Sequence, residues 1–169
     1  MYPSRGKGTL DEVDRFQWLL ALHVSAAFLL VGGAVIAAAL NVAARRSKRP
    51  SEIALFLGLT RIAVVVVVFG AFAALVLGLW LVHDAGFSYG QTWIVASIVL
   101  WVLVAGAGQA GGKRDRETRL LAERLAAGDD VATAELRSRL RDPVALLLSW
   151  GSGGATLAVL ALMIWKPGA

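Results

Sequence analysis

Residues 62–83 read IAVVVVVFGAFAALVLGLWLVH and form the most apolar block of the chain. It holds no Asp, Glu, Lys or Arg, and a helix needs about 20 such residues to cross about 30 Å of hydrocarbon. Backbone groups in lipid must bond within their own segment unless a barrel closes, and the alternation of a barrel strand is missing. The stretch therefore predicts a transmembrane helix, although its valine run would favour a strand in water.

Three further apolar blocks have the length of a span, at about residues 16–42, 92–110 and 144–165. The chain is 57% hydrophobic and 17% charged, which does not suit a globule surrounded by water. We therefore expect a single all-α domain over residues 1–169, a polytopic membrane protein with a bundle of four transmembrane helices. A signal peptide is a poor account of the first block, because its basic cluster follows the apolar stretch.

The segment between the third and fourth blocks, residues 113–142, carries eight basic and seven acidic residues. Spacings such as Asp115 to Arg119 and a break at Gly128-Asp129 predict a helical hairpin. Its leucines could pack on the ends of the spans, lie on the membrane or dock a partner. The near-balance of charge argues against nucleic acid as a partner.

Basic residues mark the expected orientation. Residues 45–49 and 113–142 are rich in Arg and Lys, whereas residues 84–91 have none, so both basic segments should be cytoplasmic and both termini outside. Arg5, Lys7 and Arg15 in the amino-terminal tail favour the opposite side. The tryptophans support the first assignment, because those at the ends of spans fall on the outer side: Trp18, Trp80, Trp93 and Trp165.

Small residues at four-residue spacing are typical of helix contacts in lipid, where close approach replaces the hydrophobic effect. The candidate packing positions are Gly33 in the first span, Gly70 and Gly78 in the second, and Ser149 and Gly153 in the fourth. A hinge or a ligand cleft is the alternative interpretation of these positions.

Ionisable residues inside a span are the default candidates for chemistry, and the spans offer His23, with His83 near the outer interface. Either histidine could bind haem or copper. If Trp18 and Trp80 lie at the same depth in the membrane, however, the two histidines differ in depth by roughly 12 Å. The structural alternative is a neutral, hydrogen-bonded His23 between helices and an interfacial His83. With no Cys, no carboxylate in a span and no catalytic motif, we expect a protein that is not an enzyme and has no required cofactor.

Three functions remain open from the residues alone. The first is an accessory or assembly subunit of a membrane complex, working as a homo-oligomer or with a partner membrane protein. The second is a haem- or metal-binding protein that uses His23. The third is an oligomeric pore or carrier for a small solute, suggested by polar residues on the spans: Ser25, Asn41, Ser149, Ser152 and Thr156.

Three segments carry a resemblance: residues 22–33 (LHVSAAFLLVGG), residues 78–94 (GLWLVHDAGFSYGQTWI) and residues 163–168 (MIWKPG). The sequence resembles an uncharacterised family of bacterial predicted integral membrane proteins, distantly similar to the copper-resistance D (CopD)-type membrane domain. The resemblance implies four spans in a bacterial inner membrane, with His23 matching an early histidine of such proteins. It implies no established activity, and the chain lacks the additional His, Met and Cys ligands of a copper-handling protein.

Overall fold

The computed structural model describes residues 7–165, with the side chains of residues 14–165 other than 146, 149 and 150. This part of the chain forms helices α1 (Lys7–Arg46), α2 (Pro50–Asp84), α3 (Thr92–Ala126), α4 (Ala134–Leu140) and α5 (Pro143–Trp165). It contains no strand, so the prediction of an all-α fold is confirmed for the described residues.

Three helices are long and apolar enough to cross a membrane: the described part of α1 (Asp14–Arg46), α2 and α3. Their large side chains face outward, as in Phe28 and Phe69, which are 74% and 65% exposed, whereas Ala26 and Ala74 are buried. In water this arrangement would forfeit the free energy of burying those rings. The protein is therefore a multi-pass membrane protein embedded in lipid. Helix α5 is apolar too, but its stretch of described side chains, Gly151–Trp165, is shorter than a span.

The helices are longer than the predicted spans, because a charged residue ends an apolar stretch without ending a helix. Helix α2 begins twelve residues before residue 62, and α3 continues sixteen residues beyond residue 110. Helix α3 thus continues without interruption into the segment where the hairpin is expected, and the short helix α4 follows it.

The helix starts follow local chemistry. Pro50 occupies the first turn of α2, where its missing N–H is not needed. Pro143 begins α5, and the Asp142 carboxylate accepts a hydrogen bond of 2.9 Å from the Val144 backbone N–H. The Thr133 hydroxyl caps α4 by accepting from the Leu136 N–H at 3.3 Å.

Neighbouring helices pack in the order α1, α2, α3, α5, and the α1–α2 pair makes the most extensive contact. At the end that holds the turn between α1 and α2, which we call the basic end, six residues form a cluster: Ala44, Ile53, Leu57, Ala122, Leu136 and Leu140. The Arg45 guanidinium donates to the Leu140 carbonyl beside it. Helix α4 thus uses its leucines to pack on the ends of α1, α2 and α3.

The opposite end, which we call the aromatic end, is closed by residues 85–91. Gly86 takes a φ of +69° there, a conformation that favours glycine. Trp93 packs edge-on against Phe87 with ring centroids 5.8 Å apart. Arg15 Nη2 lies 3.3 Å from Asp84 Oδ2, too poorly aligned for a hydrogen bond but close enough for an ion pair that ties α1 to α2.

Candidate functional site

His23 lies against the backbone of α2. Its Nδ1 is 3.0 Å from the carbonyl oxygen of Ala74. In a helix that carbonyl also accepts from the N–H four residues later, which belongs to Gly78. A Cβ at Gly78 would lie 3.1 Å from His23 Cε1, so the missing side chain makes the room in which the ring reaches the carbonyl. The histidine of α1 and the glycine of α2 therefore form one contact.

This contact fixes the hydrogen positions on the ring. A carbonyl oxygen can only accept, so Nδ1 donates. In the neutral imidazole, Nε2 then keeps a lone pair. The same arrangement, with one ring nitrogen donating to a backbone carbonyl, is typical of histidines that bind a metal through the other nitrogen. The side chain is half-buried.

His83 is not part of this site. It is exposed on α2, five residues beyond Gly78 and nine beyond Ala74, which corresponds to roughly 7 to 14 Å along the helix. Because His23 packs beside Ala74 and Gly78, His23 and His83 differ in membrane depth, as the positions of the tryptophans predict. No group of three or more His, Asp or Glu side chains that could hold a metal ion occurs among the residues searched, those with described placement.

A second ring donor reaches α2 from α3. Trp101 Nε1 on α3 lies 3.3 Å from the carbonyl oxygen of Ala71. Hydrogen bonds to backbone carbonyls thus join α2 to both of its neighbours, through His23 on α1 and Trp101 on α3. This contact is not predictable from the sequence, since spacing cannot indicate which carbonyl Trp101 meets.

The candidate packing glycines fall into two groups. A Cβ at Gly70 would lie 2.6 Å from the backbone N of Leu30, and a Cβ at Gly33 would lie 2.9 Å from Val67 Cγ2. With Gly78 against His23, these three glycines line the α1–α2 interface. At Gly153 of α5 a Cβ would meet nothing within 4 Å among the described atoms. The side chain of Ser149 lies outside the described residues.

A polar group at the basic end was not anticipated from the sequence. The i,i+4 spacings predict that Arg119 pairs with Asp115 and with Glu123, and the pair with Glu123 is present, at 2.6 Å. Asp115 instead lies near Asn41 and Arg45 of α1, and both favour its charged carboxylate. The i,i+4 rule describes an isolated helix, and packing against α1 overrides it here.

A second unanticipated residue is Asp130, in the turn between α3 and α4. Its carboxylate accepts from the Ser51 N–H and from the Ser51 hydroxyl, both at 2.8 Å, and so caps the start of α2. These two hydrogen bonds lower the pKa of Asp130 from its ordinary value of 3.8. Asp130 also has a φ of +51°, which Asp tolerates better than most residues. No local signal connects positions 51 and 130.

The outward-facing apolar helices and the polar contacts between them define a multi-pass integral membrane protein. Residues 17–167 match the family described as predicted integral membrane protein (DUF2269), and the chain belongs to that family. No curated protein and no solved structure matches the chain. The expectation of an uncharacterised membrane-protein family is thereby confirmed.

Proposed function

We propose that the protein is a non-enzymatic, four-span accessory or assembly subunit of the bacterial inner membrane that associates through α5. The observation that carries this proposal is the uncovered surface of α5. Gly153 lies on one face with Leu157 and Ile164, which are 64% and 76% exposed, and nothing described approaches the glycine. In lipid, helices associate through small residues that permit close approach. The α1–α2 pair uses such residues within the chain, and α5 offers them to another.

The fourth span is part of this proposal. Helix α5 has 23 residues, enough for about 34 Å, and its described residues carry no Asp, Glu, Lys or Arg. Four spans place both termini on one side, opposite the basic segments. Arg15, which favours the other orientation, lies beside Asp84, and that carboxylate offsets its charge. We expect the cysteine of Ser88→Cys to be labelled from outside intact cells and that of Ser138→Cys to be protected. The reverse pattern would contradict the orientation.

The assembly role is tested by purifying the full chain in a mild detergent and measuring its mass by light scattering. We expect a homo-oligomer or a stoichiometric partner membrane protein. Gly153→Leu should convert this species to the monomer, because the added side chain blocks close approach. Gly32→Leu is the matched control, since Gly32 also has nothing within 4 Å but lies on α1. A wild-type monomer, or equal effects of both substitutions, would contradict the proposal.

A second candidate function is a haem- or metal-binding protein with His23 as a ligand. It is supported by the donation from Nδ1 to Ala74, which leaves the Nε2 lone pair free in the neutral ring. The distant likeness to a copper-resistance domain stays a prediction. An absorbance spectrum and a metal analysis of the purified protein test this candidate. A Soret band or bound metal that disappears in His23→Leu and survives in His83→Asn would support it, and absence of both signals would remove it.

A further inference from the structure

A cleft of about 730 Å³ opens at the basic end, beside the turn between α1 and α2. Three exposed cations line it, Arg46, Lys48 and Arg49. Glu52 is the acidic residue of the lining, and Leu55 and Phe56 form part of its wall. The positive side chains therefore outnumber the negative ones, and they lie beside apolar surface.

An apolar stripe leads from this cleft along α2. Leu55, Leu59 and Ile62 follow one another at spacings of four and three residues, so they lie on one face of the helix. They are 60%, 40% and 64% exposed. The stripe thus connects the cationic cleft with the valine-rich part of α2 that lies in hydrocarbon.

The cleft lies at a level in the membrane that suits a lipid headgroup. Arg61 lies nineteen residues from Trp80, which is roughly 28 Å along α2 and close to the thickness of the hydrocarbon layer. Leu55 lies roughly 9 Å further out, at the level of the headgroups. The cations at residues 46–49 are positioned around that level.

The start of α2 does not itself supply the positive charge of the cleft. The Asp130 carboxylate already occupies the N–H and hydroxyl of Ser51, and it lies near Arg49. Besides Glu52, the residues that line the cleft with Arg46 and Lys48 include no acidic side chain. An anion in the cleft would therefore be held by side-chain cations.

We propose that this cleft binds the phosphate of an anionic phospholipid, whose acyl chains lie along the stripe of Leu55, Leu59 and Ile62. Basic groups at the membrane surface attract anionic headgroups, and apolar side chains beside them accommodate the chains. The inference rests on the membrane position of α2. It does not depend on the assembly role of α5 or on which end faces the cytoplasm.

The experiment uses the full chain in detergent micelles, titrated with phosphatidylglycerol or with phosphatidylcholine of the same acyl chains. Native mass spectrometry counts the lipids that stay bound. We expect phosphatidylglycerol to be retained about tenfold better than phosphatidylcholine. The triple variant Arg46→Gln, Lys48→Gln, Arg49→Gln should lose that preference, and Leu55→Gln should weaken retention by a smaller factor.

The matched control removes the same charge from three exposed arginines outside the cleft, by Arg116→Gln, Arg124→Gln and Arg137→Gln. It should keep the preference, as should the charge-conserving Arg46→Lys, Arg49→Lys variant, which also guards against misfolding. Glycerol phosphate at equal concentration distinguishes a free phosphate from a lipid, and it should not compete. Equal loss in both triple variants, no preference in the wild type, or effective competition by glycerol phosphate would each overturn the proposal.

Discussion

Glycines make close contacts in the α1–α2 pair, whereas the described glycines of α3 and α5 make none. Gly33, Gly70 and Gly78 each face an atom of the opposite helix at 3.1 Å or less from a Cβ position, and two of these atoms belong to side chains. At Gly106, Gly151 and Gly153 nothing described lies within 4 Å. The same residue type at the same kind of spacing is therefore packed in one helix pair and open in the other.

A small residue therefore permits the close approach of two helices without causing it. Each of these three glycines of the α1–α2 pair is opposed by a matching feature: the Leu30 backbone, the Val67 side chain or the His23 ring. Lipid supplies little hydrophobic drive for association, so such complementary contacts decide which helices pair. An open glycine on α5 is compatible with contact to a second chain, as proposed above.

Gly70→Leu should have the largest effect on the packed pair. Its Cβ would lie 2.6 Å from the Leu30 backbone N and 2.9 Å from the Ala26 carbonyl, and neither backbone atom can rotate away. We expect a destabilisation of about 3 kcal/mol or more. Unfolding of the purified protein by increasing SDS in mixed micelles measures it. The control Gly32→Leu, at a glycine of α1 with nothing within 4 Å, should change the free energy of unfolding by less than about 0.5 kcal/mol. Similar losses in both variants would contradict the contrast between packed and open glycines.

The second prediction concerns the hydrogen bond between His23 and Ala74. His23→Leu should cost about 1 kcal/mol, the usual size of a polar contact between transmembrane helices. Gly78→Ala should cost a similar amount, because the new Cβ displaces the ring from 3.1 Å. If the two act through one contact, the double variant should lose less than the sum of the single losses in the same SDS titration. Strict additivity would show that the glycine and the histidine are independent.

The membrane class and the length of the apolar core could be predicted from the sequence, because a run such as residues 62–83 has no alternative to a helix in lipid. The starts of α2 and α5 could be predicted as well, since Pro50 and Pro143 are local signals. The end of α3 at Ala126 agrees with the predicted break at Gly128-Asp129. The uninterrupted course of α3 past residue 110 could not be predicted, because polar residues outside the membrane can continue a helix.

The polar contacts were harder to predict, because each joins positions far apart in the chain. His23 stands out in the sequence as an ionisable residue in a span, but its partner is a backbone carbonyl, which every residue carries. The i,i+4 spacing pairs Asp115 with Arg119, whereas in the bundle Asp115 lies near Asn41 of α1. The packed glycines have the same local pattern as the open Gly153, so only the opposing helix separates them.

The third prediction is a pH dependence that arises outside the membrane. The Ser51 hydrogen bonds hold the pKa of Asp130 below 3.8, so the folded state favours the carboxylate. These hydrogen bonds therefore stabilise the folded state fully at a pH above the pKa of Asp130 in the unfolded chain. The stabilisation is lost as the pH falls through the lower pKa that Asp130 has in the folded protein. Thermal unfolding in detergent between about pH 3 and pH 6 should show a decline at the acid end that is smaller in Asp130→Asn. Asp129→Asn, a change of the adjacent exposed carboxylate, should keep the wild-type decline.

The smallest effect on stability is expected from Gly153→Ala. A methyl group added there meets no described atom within 4 Å, and alanine favours the helix by about 1 kcal/mol over glycine in water. We therefore expect a change within about 0.5 kcal/mol, or a slight gain, in the SDS titration of the monomer. Light scattering of the same sample in mild detergent should nevertheless shift toward smaller species, because a methyl group at a close helix contact weakens association. A loss of monomer stability comparable to that of Gly70→Leu would instead place Gly153 in a packed interface within the chain, and the contrast between the two helix pairs would no longer hold.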